Sequence, residues 1–433
     1  MSDTTQPAGV RTDAAPDSTG SPSAGSPKII GGARFVVGFL LANAGMYAIF
    51  QGMQQIVLPS QIAMLDPDGK VATYGVLASI GAAAAAIGNP VFGSLSDRTR
   101  SRFGRRAPWL IVSSVAALLL LALLGGMTSL FWLGAAYLLV MVTMSAFQAV
   151  ITAVMPDRVP EHRRGFVSGI ASFAIAIGVI YGLNIAPYFV ETPVVAYLLI
   201  GALLIVGTLF LVIFCPDPTA NQQVTAGTGE RQSIRHFFSG LRDHDFSWAF
   251  WSRATIMVGY WTIATYQLYT LTDYIGVENL PGGNAATAVA LLGTINLGVS
   301  VIAALISGPL SDKLNRRKVF VIVASIGIGA GAAIPAIWPT WTGMLVYSVV
   351  VGLFFGVYSA VDQAIMTLVL PDPENTARDL GLLNVATTGP QIAGPFLAAM
   401  IITLTGGYAP LFIFTAVVAL LSAFFIAPIR KVR

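Results

Sequence analysis

Twelve apolar runs, each long enough to cross a bilayer, follow one another along this chain with short polar breaks between most of them. A spanning helix needs roughly 20 predominantly apolar residues. The runs cover 33–63, 71–93, 107–126, 129–155, 165–189, 194–215, 246–273, 284–308, 318–338, 342–369, 380–405 and 408–428. Hydrocarbon offers the backbone no hydrogen-bond partner, so such runs fold as helices that bond internally. Composition agrees. Of 433 residues, 55% are hydrophobic and 10% charged, against about 25% charged in a soluble domain. The expected fold class is all-α integral membrane. The narrowest breaks are Gly125-Gly126-Met127 and Gly406-Gly407, which must separate neighbouring helices as turns.

The polar segments set the organisation. Residues 1–32 are rich in Ser, Thr, Pro, Gly, Ala and Asp and read as a disordered tail. They lack the charged-then-apolar order of a cleaved signal peptide. With the N-terminus inside, 22 of the 24 Lys and Arg residues fall on the inner side. Lys70 lies outside and Arg253 near the start of the seventh helix. This bias predicts a multi-pass protein of the cell membrane with both termini cytoplasmic.

An internal repeat divides the chain. Gly93-Ser-Leu-Ser-Asp97-Arg98 recurs as Gly308-Pro-Leu-Ser-Asp312-Lys313, 215 residues on. Gln148-Ala-Val-Ile-Thr-Ala-Val-Met-Pro156-Asp157 recurs as Gln363-Ala-Ile-Met-Thr-Leu-Val-Leu-Pro371-Asp372 at the same spacing. Two matches at one offset predict two homologous six-helix halves, 33–215 and 246–428. A cytoplasmic linker over 216–245 joins them, and 429–433 form a short cytoplasmic tail.

Polar residues inside the apolar runs are the candidate site, since ionisable groups in lipid are costly and functional by default. Asp362 stands alone within Met344–Leu370, beside Tyr358 and Gln363. Phe147 holds the matching place in the first half, next to Gln148. Arg253, the one basic residue at similar depth, falls on the face of its helix opposite Thr262 and reads as a snorkelling residue. An unpaired buried carboxylate holds its proton, which makes Asp362 the expected proton carrier. Asn43, Tyr47, Gln51 and Gln54 share one face of the first helix at about 100° per residue. Thr262, Tyr266, Tyr269 and Asp273 share a face of the seventh, with Gln267 adjacent. Amides and phenols both donate and accept hydrogen bonds and match sugar hydroxyls; the same groups also serve contacts between helices. Asn184, Asn296, Asn384 and Gln391 add polar groups from helices 5, 8 and 11. Gln51, Gln54, Gln148, Tyr266, Gln267, Tyr358, Gln363 and Asn384 are the expected substrate contacts.

Several chemistries are absent from the sequence. It shows no metal cluster, nucleophile triad, phosphate-binding glycine loop or nucleic-acid motif. The single cysteine, Cys215, forms no intrachain disulfide. Neither an enzyme, a cofactor nor a nucleic-acid partner is expected; the partners are a small solute, a proton and the bilayer.

The loop Gly93-Ser-Leu-Ser-Asp97-Arg98-Thr-Arg100-Ser-Arg102-Phe-Gly104-Arg105-Arg106 resembles the signature between helices 2 and 3 of the major facilitator superfamily. From Asn89-Pro90 to Pro108-Trp109 it is similar to the branch of sucrose-type and glycoside–pentoside–hexuronide sugar symporters. The resemblance implies two pseudo-symmetric six-helix bundles, twelve transmembrane helices in all, rocking about a central site near the bilayer midplane. It implies a latch formed by Gly93, Asp97 and Arg98, with Asp312 in the second copy, that holds the outward-facing state. Sodium-coupled melibiose-type members carry aspartates where this chain has Asn89 and Ala85, so their sodium site does not carry over. The expectation is a secondary transporter of a sugar or glycoside with protons. Export of an amphipathic compound, or a non-transporting sensor on the same fold, stay open at this point.

Overall fold

The computed structural model describes residues 32–215, 237–371 and 376–430. Most of the expected tails and linker lie outside the described residues. The membrane helices are α1 (Gly32–Leu65), α2 (Lys70–Arg98), α3 (Ala107–Gly125), α4 (Leu130–Arg158), α5 (Arg164–Ile185) and α6 (Pro193–Phe214). They continue as α7 (His244–Thr265), α8 (Ala285–Leu314), α9 (Arg317–Ile337), α10 (Trp341–Leu368), α11 (Thr376–Thr405) and α12 (Ala409–Ile426). Eleven of these segments are long and apolar enough to cross a membrane. The twelfth, α7, begins His244-Asp245 and carries Arg253, but it packs within the bundle on α11 and α12.

Local chemistry starts and interrupts these helices. Asp243, Asn284 and Thr340 each accept a bond from the backbone amide three residues on, at 3.0, 3.0 and 3.1 Å, and so cap α7, α8 and α10. Buried Gln61 donates to the carbonyls of Leu124 and Met127 at 3.0 and 3.2 Å. It thereby satisfies acceptors left over at the end of α3. Within α1 the ladder widens to a π turn at Met53–Val57. After a break at Tyr266, α7 continues through Gln267–Tyr269 and a second π turn at Thr270–Gly276. The opening helix of each half is therefore irregular near the same end, and π turns collect at functional positions.

Packing repeats between the halves. In the first, α1 lies on α5 and α6, α2 on α4, and α3 on α4 and α6. In the second, α7 lies on α11 and α12, α8 on α10, and α9 on α10 and α12. The halves meet chiefly through α2 with α11 and α5 with α8. Small residues permit the closest approaches. A Cβ added at Gly178 or Gly182 of α5 would stand 2.2 or 2.3 Å from the carbonyl oxygens of Ala44 and Ala48 on α1. This four-residue glycine spacing is a common device for bringing membrane helices into backbone contact.

That contact yields a test. Overpacking costs about 1–3 kcal/mol, and here the obstacle is backbone that cannot turn aside. Gly178→Val should lower the unfolding midpoint in detergent, followed by a thiol-reactive dye reaching buried Cys215. Gly169→Ala, with open space around it, should not lower it. Equal behaviour of the two variants would mean that α1 and α5 do not meet as described.

Candidate functional site

The bonds between the halves gather at the end of the bundle away from the arginine loops. Lys70 Nζ meets Asp273 at 2.8 Å across the halves, and Tyr408 of the second half donates its hydroxyl to the same carboxylate at 2.8 Å. Tyr266 donates to the carbonyl of Val71 at 2.7 Å, and Tyr269 to that of Pro59 at 2.9 Å. Both rings meet Tyr74 edge to face at 5.7 Å. Asn184 reaches the Thr294 hydroxyl at 3.0 Å. At the other end the corresponding bonds stay at home. Arg106 pairs with Asp97 at 2.6 Å and with Asp157 at 3.0 Å, and Arg317 pairs with Asp312 at 2.7 Å. Asp97, Arg98 and Asp312 are exposed and Gly93 half-buried, and neither aspartate bonds across the halves among the described residues.

Beneath the seam lies a cavity of about 230 Å³. Gln51 and Gln55 of α1 and Ile175, Val179 and Leu183 of α5 line it from the first half. From the second half come Tyr260 and Gln267, Asn296 of α8, and Tyr347 and Val351 of α10, among others. Among the described residues no charged side chain lines it. Gln55 donates to Gln51 at 3.2 Å, and Asn296 donates to the Ser348 carbonyl at 3.1 Å. Among the described residues, Gln51, Gln55 and Gln267 make no other side-chain hydrogen bond.

The two expected faces are resolved differently. On α1 the π turn shifts the register, so Gln55 rather than Gln54 joins Gln51 at the cavity. Gln54 points to Met141 of α4, Nε2 to Sδ 3.7 Å. On α7 and its continuation, Tyr266, Tyr269 and Asp273 belong to the seam. Tyr266 is fully buried there and does not line the cavity. Thr262 bonds its own helix and packs against Gly394 of α11. The cavity face of α7 is Tyr260, Ile263, Ala264 and Gln267. Gln148, half-buried on α4, and Asn384, exposed on α11, do not line the cavity.

Asp362 is not unpaired. Arg253 donates to its Oδ2 through Nε at 2.8 Å and through Nη2, and Tyr358 donates to Oδ1 at 3.2 Å. Nη2 also reaches Gln363 at 3.1 Å. Both charged groups are buried, Asp362 at 3% and Arg253 at 7% exposure. The snorkelling reading of Arg253 is overturned. Its face is indeed opposite Thr262, but α10 stands on that side and supplies the carboxylate before lipid or water can. Arg253 lies two turns, about 10 Å, from Tyr260 along the same face of α7. Between them Phe355 stacks on Tyr260 at 4.5 Å and approaches Tyr358 at 6.4 Å. The ion pair therefore ties α7 to α10 just beyond the cavity, on the side of the arginine loops.

The sequence profile of the Major Facilitator Superfamily matches residues 40–289 and 282–433. The chain belongs to the major facilitator superfamily. Among superfamily members, the MFS transporter asaE of Aspergillus flavus is 27% identical over 180 residues, 41% of this chain and 40% of that protein. The lactose permease of Lactobacillus delbrueckii subsp. bulgaricus is 24% identical over 323 residues, 66% of this chain and 47% of the permease. The chain thus spans less than half the length of these two relatives. A bacterial homologue of the human lysosomal transporter Spinster shares the fold. Its inward-facing unoccupied form gives a TM-score of 0.64 at 15% identity, covering 91% of this chain and 93% of that one. The occupied form gives 0.66 at 15% identity, covering 91% and 95%.

Removing one partner of a buried ion pair strands the other and costs about 3–5 kcal/mol. Arg253→Met and Asp362→Leu should each lower thermal stability by that order, and the double variant should recover most of the loss. Strictly additive losses would show that the two groups do not interact.

Proposed function

We propose that this chain is a secondary active transporter that moves a sugar or glycoside together with a proton by alternating access. The observation that carries this reading is the chemistry of the cavity. Amides and phenols face a space with apolar walls and no charge. Hydroxyl groups donate and accept, as amides do, and apolar walls suit the C–H faces of a sugar ring. A charged solute would lose its hydration there without a counter-charge. The similarity to a lactose permease and the resemblance of the loop after α2 support the same reading. Gln51, Gln55, Gln267 and Asn296 are the proposed contacts.

The arginine bias supports placing both termini in the cytoplasm of a cell-membrane protein. The bonded seam is then the outer gate, and the cavity communicates with the cytoplasmic side. Gly93, Asp97, Arg98 and Asp312 act as the inner latch, with Asp97 exchanging Arg106 for the opposite half when the halves close there. Coupling is assigned to Asp362. An ion shifts a conformational equilibrium only by its differential affinity for the two states. A proton on Asp362 weakens the tie to Arg253 and frees α7 to move against α10. The stack of Tyr260, Phe355 and Tyr358 connects that movement to the cavity.

Reconstitution in liposomes tests this. Labelled sugars and glycosides should enter faster under a proton gradient. Gln51→Ala should weaken binding by about 1–3 kcal/mol, as expected when a buried partner is left unbonded. Asp362→Asn should lose uphill accumulation yet retain counterflow, which requires no net proton release. Undiminished accumulation would remove Asp362 from coupling. Indifference to every sugar and glycoside tried would remove the substrate class.

A further inference from the structure

At the arginine-loop end of α7 stands a histidine bonded through both ring nitrogens. Trp248 donates its indole N–H to His244 Nε2 at 3.1 Å, and His244 Nδ1 stands 3.0 Å from Asp245 Oδ1. These partners fix the tautomer. An indole nitrogen only donates, so Nε2 carries no proton. A carboxylate only accepts, so the proton sits on Nδ1. Both bonds together therefore require the neutral ring. The His244 side chain is about half exposed to solvent, while Asp245 beneath it is buried.

The group holds α7 against α12. Trp248 sets its ring 5.6 Å from that of Phe425 on α12 and packs on the apolar cluster at the arginine-rich end of the second half. Asp245 Oδ1 also accepts from the backbone amide of Arg430, just past α12, at 3.1 Å. One turn beyond Trp248, Ser252 and Ser422 of α12 each donate to the other's carbonyl, at 3.0 and 2.9 Å. The next residue, Arg253, makes the tie to α10. His244 thus sits at the open end of the helix that carries Arg253, Tyr260 and Gln267, about 13 Å along the axis from Arg253. The charged groups around it are few among the described residues. On its own helix and cap they are Asp245 and Asp243, the latter bonded to the Phe246 amide. Arg242 ends the turn Phe238–Arg242 that precedes them. From α12 comes Arg430, and from α9 Lys318, which donates to the Ile429 carbonyl at 2.9 Å. From α11 come Arg378 and Asp379, paired with each other at 2.8 Å against Gly240 of the same turn.

We propose that His244 senses pH at this face and, when protonated, releases the end of α7 from α12. A proton on Nε2 turns an acceptor into a donor. The ring then meets the indole N–H donor to donor and that bond is lost, while the bond to Asp245 persists in charge-assisted form. Trp248 loses the contact that orients it on Phe425. Imidazole is the side chain whose charge ordinarily changes between pH 5 and 8, and its exposure lets this one exchange protons with water directly. Asp362, by contrast, is buried beside the cavity. Neither the sugar nor the coupling assignment enters here. The orientation proposed above enters only in naming the cytoplasm as the compartment whose pH is read.

Purified full-length protein in lipid nanodiscs tests this without substrate. The emission of Trp248, taken as the difference between wild type and Trp248→Phe, should change with one midpoint between about pH 8 and 5. Amide exchange over residues 245–252, corrected for its intrinsic pH dependence, should speed up about two- to tenfold across that range, as the loss of one hydrogen bond implies. His244→Gln keeps a donor and an acceptor at every pH and should remove both changes. His244→Lys can donate to Asp245 but cannot accept from Trp248, so its exchange should be fast throughout and its Trp248 emission constant. Either variant removes the titration, so one poorly folding variant leaves the test intact. Trp248 emission that ignores pH, or that titrates equally in the variants, overturns the sensor. Emission that titrates while exchange stays unchanged overturns the release of α7.

Discussion

Hydrocarbon supplies no hydrogen-bond partner, and the whole structure answers to that constraint. Every backbone polar group that crosses it must bond within a helix or against another protein group. The chain meets the demand with twelve helices and spends its few polar side chains where helices meet or where a cavity holds water or solute. Gln61 shows the rule at the edge of the bundle, where its amide answers carbonyls that the end of α3 leaves open. Tyr266 and Tyr269 show it at the seam, each donating across to a carbonyl of the opposite half. Those bonds join two bundles whose apolar surfaces alone would have no strong preference for one another over lipid.

The same constraint explains the ion pair. Neither Arg253 nor Asp362 could sit at this depth alone, and each satisfies the other with Tyr358 and Gln363 completing the network. A buried pair of this kind is weak evidence for stability. Its placement carries more meaning. It bridges the two helices of the second half that also supply Tyr260, Gln267, Tyr347 and Val351 to the cavity. The first half has no counterpart, since Phe147 stands where the repeat would place the carboxylate. The halves share a packing scheme but differ in chemistry: the first contributes Gln51 and Gln55 to the cavity, and the second contributes Tyr260, Gln267 and Tyr347 together with the ionic tie.

Much of this was legible in the residues. Hydropathy and the 215-residue repeat are summed over many positions, so helix number, fold class and the division into related halves survive local irregularity. The prominence of Asp362, Arg253, Gln51 and Gln267 follows from the cost of polar groups in lipid, which any sequence displays openly. Faces were less secure. Counting at 100° per residue grouped Gln51 with Gln54, but a π turn adds a residue to the ladder and brings Gln55 round instead. Of the polar stripe on α7, Tyr266, Tyr269 and Asp273 meet the first half at the seam, and Thr262 packs on α11.

What the sequence by itself determined is therefore the inventory: twelve helices, two related halves, and the handful of polar groups that lipid would not tolerate unpartnered. Tertiary structure alone decided the pairings. Periodicity tells which side chains share a face of one helix, because that depends on a local twist. It cannot tell which helix stands opposite, because neighbours are chosen by packing over a hundred residues away, as Asp362 is from Arg253. For that reason Arg253 read as a stray cation in the sequence and became, once α10 was in place, the partner of the only carboxylate expected at its depth.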